Sequence, residues 1–157
     1  MKTQYLSAKL LLIFLVFNLG CSKSDDGADS QTTLEQQFIG TWKPLKFVIV
    51  CSDGGNEIEN YSACEQTGRL TISSNGTWSE TYFYEYVDNM CEEDGVDSGT
   101  WKIVNGKLII KESEFGEAEV TFFEISESTL KVGQYDDDFS CGIDNVSSHY
   151  YTEYVKI

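Results

Sequence analysis

From Gly40 to the end of the chain, apolar and polar residues alternate in short runs rich in Val, Ile, Thr and aromatics. A period of two puts one set of side chains on a buried face and the other in water, which is the pattern of antiparallel strands. It is clearest in Leu70/Ile72, Trp101/Ile103, Leu108/Ile110, Val120/Phe122 and Leu130/Val132. The runs predict eight strands, over 42–50, 69–72, 77–87, 99–104, 107–111, 118–125, 129–134 and 149–157. The first is almost continuously apolar from Leu45 to Val50 and is expected to be buried on both faces. Ahead of it, Thr32-Thr33-Leu34-Glu35 fits a capping box and Gly40 a helix stop, so a short helix over 33–38 should lead into the sheet.

The connections differ in length. Ser73-Ser74-Asn75-Gly76, Asn105-Gly106 and Ser126-Glu127-Ser128 are tight turns, whereas 51–68, 87–98, 112–117 and 135–148 are longer links. In an up-and-down antiparallel meander alternate connections lie at opposite ends, so tight turns close one end and long links surround the other. An eight-stranded barrel has a lumen just wide enough to be filled by side chains or to hold one small ligand. Trp78, Tyr82, Tyr84 and Tyr86 share one face of the third strand, interrupted by Glu80, and are candidate ligand contacts; Phe122, Tyr150 and Tyr154 join them. A tyrosine offers a ligand an apolar ring and a selective hydroxyl. The alternative is that these rings are only packing.

The composition, 157 residues with 41% hydrophobic and 24% charged, fits one ordinary folded domain. Twenty-six acidic against 11 basic residues give a net charge of −15, which repels phosphate backbones and anionic headgroups. Nucleic-acid and basic-patch membrane partners are therefore excluded. The acidic residues crowd the long links, among them Asp53, Glu57, Glu59, Asp88 and Asp144 and the runs 92–94 and 136–138. Without a twelve-residue calcium loop they read as a solvated rim, and no metal or cofactor is assigned. His149 is the single histidine and no C-x-x-C pair exists, so a zinc site lacks its ligands. Lacking a nucleophile beside a base, the chain reads as a non-enzyme.

Lys2 and Lys9 precede an apolar run over 10–17, which is shorter than the roughly 20 residues that span a bilayer and suits an export signal. The run ends Asn18-Leu19-Gly20-Cys21, which resembles the lipobox of bacterial lipoproteins, with Asn18 in place of the usual Leu. The resemblance implies a signal peptide over 1–20, acylation of Cys21 and an outer-membrane location, at the periplasmic face or the cell surface. Residues 21–31 are polar and read as a flexible tether, in which Lys23 to Asp26 loosely resembles the surface-export signals of Bacteroidetes lipoproteins. The lipid is then the only membrane contact. Export also places Cys51, Cys64, Cys91 and Cys141 in an oxidising compartment, where four thiols make two disulfides with three possible pairings. All four lie in or beside long links. If the last strand closes on the first, Cys51–Cys141 and Cys64–Cys91 are favoured.

Phe38-Ile39-Gly40-Thr41-Trp42 resembles the Gly-x-Trp opening of lipocalins. Leu70-Thr71-Ile72-Ser73-Ser74-Asn75-Gly76-Thr77, followed by Cys91 and Ser98-Gly99-Thr100-Trp101, is similar to lipocalin-like lipoproteins of Bacteroidetes. The resemblance implies an all-β, eight-stranded up-and-down antiparallel barrel with a short N-terminal helix, spanning 32–157. Gly40 and Trp42 would then plug the closed base, with Lys156 over the Trp42 ring where lipocalins often place Arg. It further implies that the open end binds a small, partly apolar molecule. The competing expectation is a filled barrel whose acidic, disulfide-braced rim meets a protein or glycan.

Overall fold

The computed structural model describes residues 33–86, 90–112, 115–136, 141 and 148–157. The expected leader, Cys21 and the tether, together with Asp88, Asp137, Asp138 and Asp144, lie outside these. Residues 33–38 form helix α1. Ten strands follow among the described residues: β1 Gly40–Val50, β2 Asn56–Asn60, β3 Arg69–Ile72, β4 Thr77–Glu85, β5 Cys91–Val104, β6 Lys107–Glu112, β7 Glu117–Glu119, β8 Phe122–Ile125, β9 Thr129–Asp136 and β10 Ser148–Lys156. They form one antiparallel sheet in the order β7-β6-β5-β4-β3-β1-β10-β9-β8, with β2 also paired to β1.

Two local events make ten strands out of the expected eight. The link 51–68 contains β2, which lies along the end of β1 from Lys46↔Asn60 to Val50↔Asn56. Its residues are all exposed, and Glu57 and Glu59 put charge on what is a free sheet edge, discouraging strand addition. The run 118–125 breaks at Val120-Thr121, so that β7 pairs with β6 and β8 with β9. The Val120 amide donates to the Leu108 carbonyl at 2.9 Å, while Thr121 Oγ1 accepts from the Tyr135 amide at 2.8 Å. The two edges of the sheet are thus consecutive halves of one segment, and the chain itself carries the wall from its first edge to its last. The break also resets the alternation. Val120 joins the core cluster, Phe123 and Ile125 pack against it, and Phe122 is left out of it, buried instead against Tyr135, His149 and Tyr151.

The expected link 87–98 is instead largely strand, because β5 begins at Cys91 and its residues up to Thr100 pair along the whole of β4. Asp94 is the extra residue of a bulge between the pairs Tyr82↔Gly95 and Phe83↔Glu93. So acidic a run has little strand preference of its own; the β4 ladder and a disulfide at Cys91 hold it. Glu92, Glu93, Asp94 and Asp97 therefore project from a strand, not from a loop. Nor is β1 buried on both faces beyond Leu45. A register shift between Pro44 and Lys46 leaves Leu45, Phe47 and Ile49 only half-buried, with Val48 fully buried.

The tight turns collect at one end with α1 and the C-terminus. Asn105 and Gly106 adopt φ of 53° and 78°, the left-handed geometry their hairpin requires. Trp101 Nε1 donates to the Ser73 carbonyl at 3.1 Å and the Lys156 amide to the Ser128 carbonyl at 2.9 Å, tying two of the turns to β5 and β10. Trp42 fills this end with no exposed surface, its Nε1 donating to the Phe38 carbonyl at 2.9 Å. Lys156 Nζ stands 4.9 Å from the Trp42 ring centre and donates to the Gln37 carbonyl at 2.9 Å. Gly40 makes room for it: φ is +149°, and a Cβ would lie 2.7 Å from Lys156 Cε. Phe38 meets Trp101 and Phe123 edge-on at 5.0 and 5.5 Å, pressing α1 into the lumen. At the other end, disulfides join Cys51 to Cys141 and Cys64 to Cys91 across Cα distances of 5.0 and 5.4 Å. Each such bridge stabilises a fold by about 2–4 kcal/mol.

Trp42→Ala removes the stopper and its cation–π and hydrogen-bond partners together. Urea unfolding should show a loss of about 3–5 kcal/mol, against about 0.5 kcal/mol or less for Tyr84→Ala at an exposed position. Equal losses would show that Trp42 has no special place in the fold.

Candidate functional site

The fourth strand sets the interior. Alternation along β4 sends Trp78, Glu80, Tyr82 and Tyr84 to one face, and the sheet curls so that this face looks into the lumen. The space inside is divided. A chamber of about 140 Å³ is lined by Phe38, Leu70, Trp78, Trp101, Leu108 and Val132 among others. A larger recess of about 330 Å³ is bounded by Pro44, Tyr61, Glu65, Tyr84, Asp94 and Thr152. Glu80, Tyr82 and Tyr154 line both and form the partition.

The recess exists because the wall is interrupted. The β3 ladder with β4 ends at Arg69↔Thr81, and β2 pairs only with the distal part of β1. Between them, residues 61–68 turn out of the sheet through a 3-10 helix, Glu65–Thr67, so the far half of β4 has no strand on that side. The excursion is held as a unit. The Ser62 amide donates to Glu65 Oε2 at 2.7 Å and the Glu65 amide to Ser62 Oγ at 3.2 Å, satisfying the exposed amides at the start of the turn. Arg69 Nη1 donates to the carbonyls of Gln66, Thr67 and Gly68. The Cys64–Cys91 disulfide then pins the excursion to β5. Gly68 must be glycine, since a Cβ would sit 2.6 Å from the Thr81 carbonyl.

At the partition, Tyr154 donates its hydroxyl to Glu80 Oε1 at 2.9 Å and Tyr82 to Oε2 at 3.1 Å. Burial pushes the Glu80 carboxyl above its ordinary 4.5, against the two hydroxyl donors, with Asp97 adding to the rise. Burial and the neighbouring Glu80 raise the phenols of Tyr154 and Tyr82, and burial raises Tyr61. All three therefore stay protonated donors at neutral pH. Beside them Trp78 is buried and its Nε1 has no hydrogen-bond partner. A buried donor left unpaired is costly, at about 1–3 kcal/mol.

Of the candidate ligand contacts, Trp78, Tyr82, Tyr84 and Tyr154 come together around the lumen. The others do not. Tyr86 lies beyond the end of β4, exposed, with its hydroxyl on Asp94 at 3.3 Å and its ring against Tyr84. Tyr150 packs on Phe47 at 5.7 Å and lines neither cavity. Phe122 stacks on the outer surface between His149, at 4.4 Å, and Tyr151, at 5.1 Å. That stack accounts for His149, whose pKa is lowered by burial. In the sequence Glu80 is an interruption of the aromatic face. Its spacing, two residues from both Trp78 and Tyr82, is the signal that it shares their direction. Tyr61 gives no signal, because its position depends on the excursion. Among the described residues, no group of three His, Cys, Asp or Glu side chains could hold a metal ion.

A family model for the lipocalin-like domain matches residues 38–132, more than half of the chain, and the protein belongs to that family. No curated protein sequence matches. Among solved structures, "Odorant Binding Protein OBP1" is similar at 13% identity and TM-score 0.38, over 78% of this chain and 73% of that one. A de novo designed fluorescence-activating beta barrel is similar at 16% identity and TM-score 0.33, over 78% of this chain and 96% of that one.

The Glu80 shift has a definite sign. Below 4.5 the carboxyl is neutral in folded and unfolded chains alike; as pH rises toward the raised folded value, the unfolded chain ionises first. Stability contributed by the neutral acid is therefore lost on raising the pH through that window. Glu80→Gln should gain stability relative to wild type as the pH is raised above 4.5, by about 1.4 kcal/mol for each unit of raised pKa. A difference in unfolding free energy that does not change with pH would contradict it.

Proposed function

We propose that this lipocalin-like domain is a non-enzymatic binding protein that takes one small, partly apolar molecule into its lumen and is held at the outer membrane by lipid on Cys21. The observation that carries the reading is the divided cavity: an apolar chamber of about 140 Å³ meeting a more polar recess of about 330 Å³ at a carboxyl and two phenols. Small-molecule sites are built this way, from a mostly apolar wall with a few fixed polar groups for orientation. A filled barrel would leave no such space, which disfavours the rim-only interaction reading. His149 lies in the outer aromatic stack, away from Glu80, so the lumen carboxyl has no imidazole partner for acid–base work. The lipid anchor is supported by the Gly20-Cys21 junction after an apolar run and by the polar residues that follow.

N-phenyl-1-naphthylamine, a neutral apolar fluorophore, should bind the mature protein saturably at one site. Val132→Phe, which places a ring in the chamber, should weaken it at least about tenfold with the circular dichroism spectrum retained. Unsaturable binding, or binding indifferent to Val132→Phe, would remove the lumen as the site. For the anchor, Cys21→Ser should abolish the acyl mass in protein purified from its host and move it from the membrane to the soluble fraction. Membrane retention of that variant would refute the lipid attachment.

A further inference from the structure

Among the described residues, the lumen carries one sign of charge. The ionisable side chains other than tyrosine that line the two cavities are Glu65, Glu80, Asp94 and Glu112, and no Lys, Arg or His is among the lining residues. Glu80 is the one that lines both cavities. The ion pairs of the described residues are Lys46–Glu153, Lys102–Glu117, Lys107–Glu119 and Lys131–Glu124, none of which involves it. A carboxylate withdrawn from water without a counter-charge is unfavourable unless something supplies one. Among the described residues its partners are the hydroxyls of Tyr82 and Tyr154, each occupying one oxygen and leaving lone pairs on both.

We infer that the ligand is a cationic amine carried on an apolar body, and that Glu80 is the counter-charge that receives its ammonium group. This rests on the ligand-binding reading above and adds the charge class of the ligand. Three further features agree. Tyr61, Tyr82, Tyr84 and Tyr154 line the recess together with Glu80, and aromatic rings of this kind attract ammonium groups. The apolar chamber on the other side of the partition, walled by Leu70, Ile72, Leu108 and Val132, accepts a ring or short alkyl body. Trp78 Nε1, buried and unpaired on the same strand face two residues from Glu80, is a donor for an ether, hydroxyl or carbonyl oxygen on that body. A fatty acid or other anionic amphiphile would instead bring its charge into a space bounded by four acidic side chains, within a protein of net charge −15.

The test compares three probes with one body and different heads, 4-phenylbutylamine, 4-phenylbutan-1-ol and 4-phenylbutanoate, by isothermal titration calorimetry at neutral pH against the mature chain and its Glu80→Gln variant. The amine should bind at least about tenfold more tightly than the alcohol, as one hydrogen bond to a charged group supplies, and the carboxylate more weakly than either. Glu80→Gln should erase the amine's advantage over the alcohol, with the circular dichroism spectrum retained to show that the variant is folded. Equal affinities, a preference for the carboxylate, or an amine advantage that survives Glu80→Gln would overturn the charge assignment and leave the binding reading standing. Absence of binding by all three would overturn both.

Discussion

The complete burial of Trp42 is the constraint on which the rest of this structure depends. The indole must find a partner for its N–H and company for its ring, and it takes both from opposite ends of the sequence. The carbonyl of Phe38 in α1 accepts the proton, and Lys156 from β10 covers the ring while its ammonium reaches the Gln37 carbonyl. Gly40 suits its place because its φ of +149° would strain any L side chain, and the lysine stem lies where a Cβ would stand. One side chain thus fastens the helix, the first strand and the last strand at a single point, and the tight turns close round it. The cation–π contact is worth only about 0.5–2 kcal/mol; the area of indole withdrawn from water supplies more.

With one end closed by side chains, the lumen is decided by what the rest of the wall does. It does not continue evenly. The chain crosses the sheet's seam at Val120-Thr121, and leaves the sheet between β2 and β3 to make the 61–68 excursion. The first event completes the enclosure covalently where no ladder exists between β7 and β8. The second leaves the distal half of β4 unpaired on one side and lets Tyr61 and Glu65 approach it. Glu80 sits where these meet. It is far enough from solvent for its carboxyl to be disfavoured as an anion, yet beside an opening through which a charged group can arrive. Structure and proposed function connect at this residue: the cost of burying an uncompensated carboxylate is the free energy a suitably charged ligand can recover.

Much of the fold was legible because it rests on local rules. Asn-Gly at 105–106 demands a left-handed turn, Leu70/Ile72 and Trp101/Ile103 alternate as a strand with one buried face must, and α1 follows from its cap and stop. Other features rest on long-range pairing and could not be read locally. The acidic stretch from Cys91 to Asp97 looks like a loop and is a strand only because β4 and the Cys64 disulfide hold it there. Residues 56–60 look like part of a long link and pair because β1 extends past the end of β3 on that side. Val120 and Phe122 alternate correctly in the sequence, but a break between them sends their side chains to opposite faces. The site was half legible for the same reason. The aromatic face of β4 was visible from its spacing, whereas the meaning of Glu80 emerged only when Tyr154, 74 residues away, was brought against it.

Whether a small amphiphile fills the cavity beside Trp78 and Glu80 is read most directly at the indoles. The protein has three tryptophans, and two indole N–H groups are already engaged, Trp42 with Phe38 and Trp101 with Ser73. A ¹H–¹⁵N spectrum of the indole region, titrated with 4-phenylbutan-1-ol, therefore separates the lumen from the base and the turns. The Trp78 resonance should move downfield with saturation as its N–H gains an acceptor, while those of Trp42 and Trp101 hold nearly still. A Trp78 resonance that stays fixed while the alcohol binds elsewhere, or three resonances that move together, would contradict lumen binding.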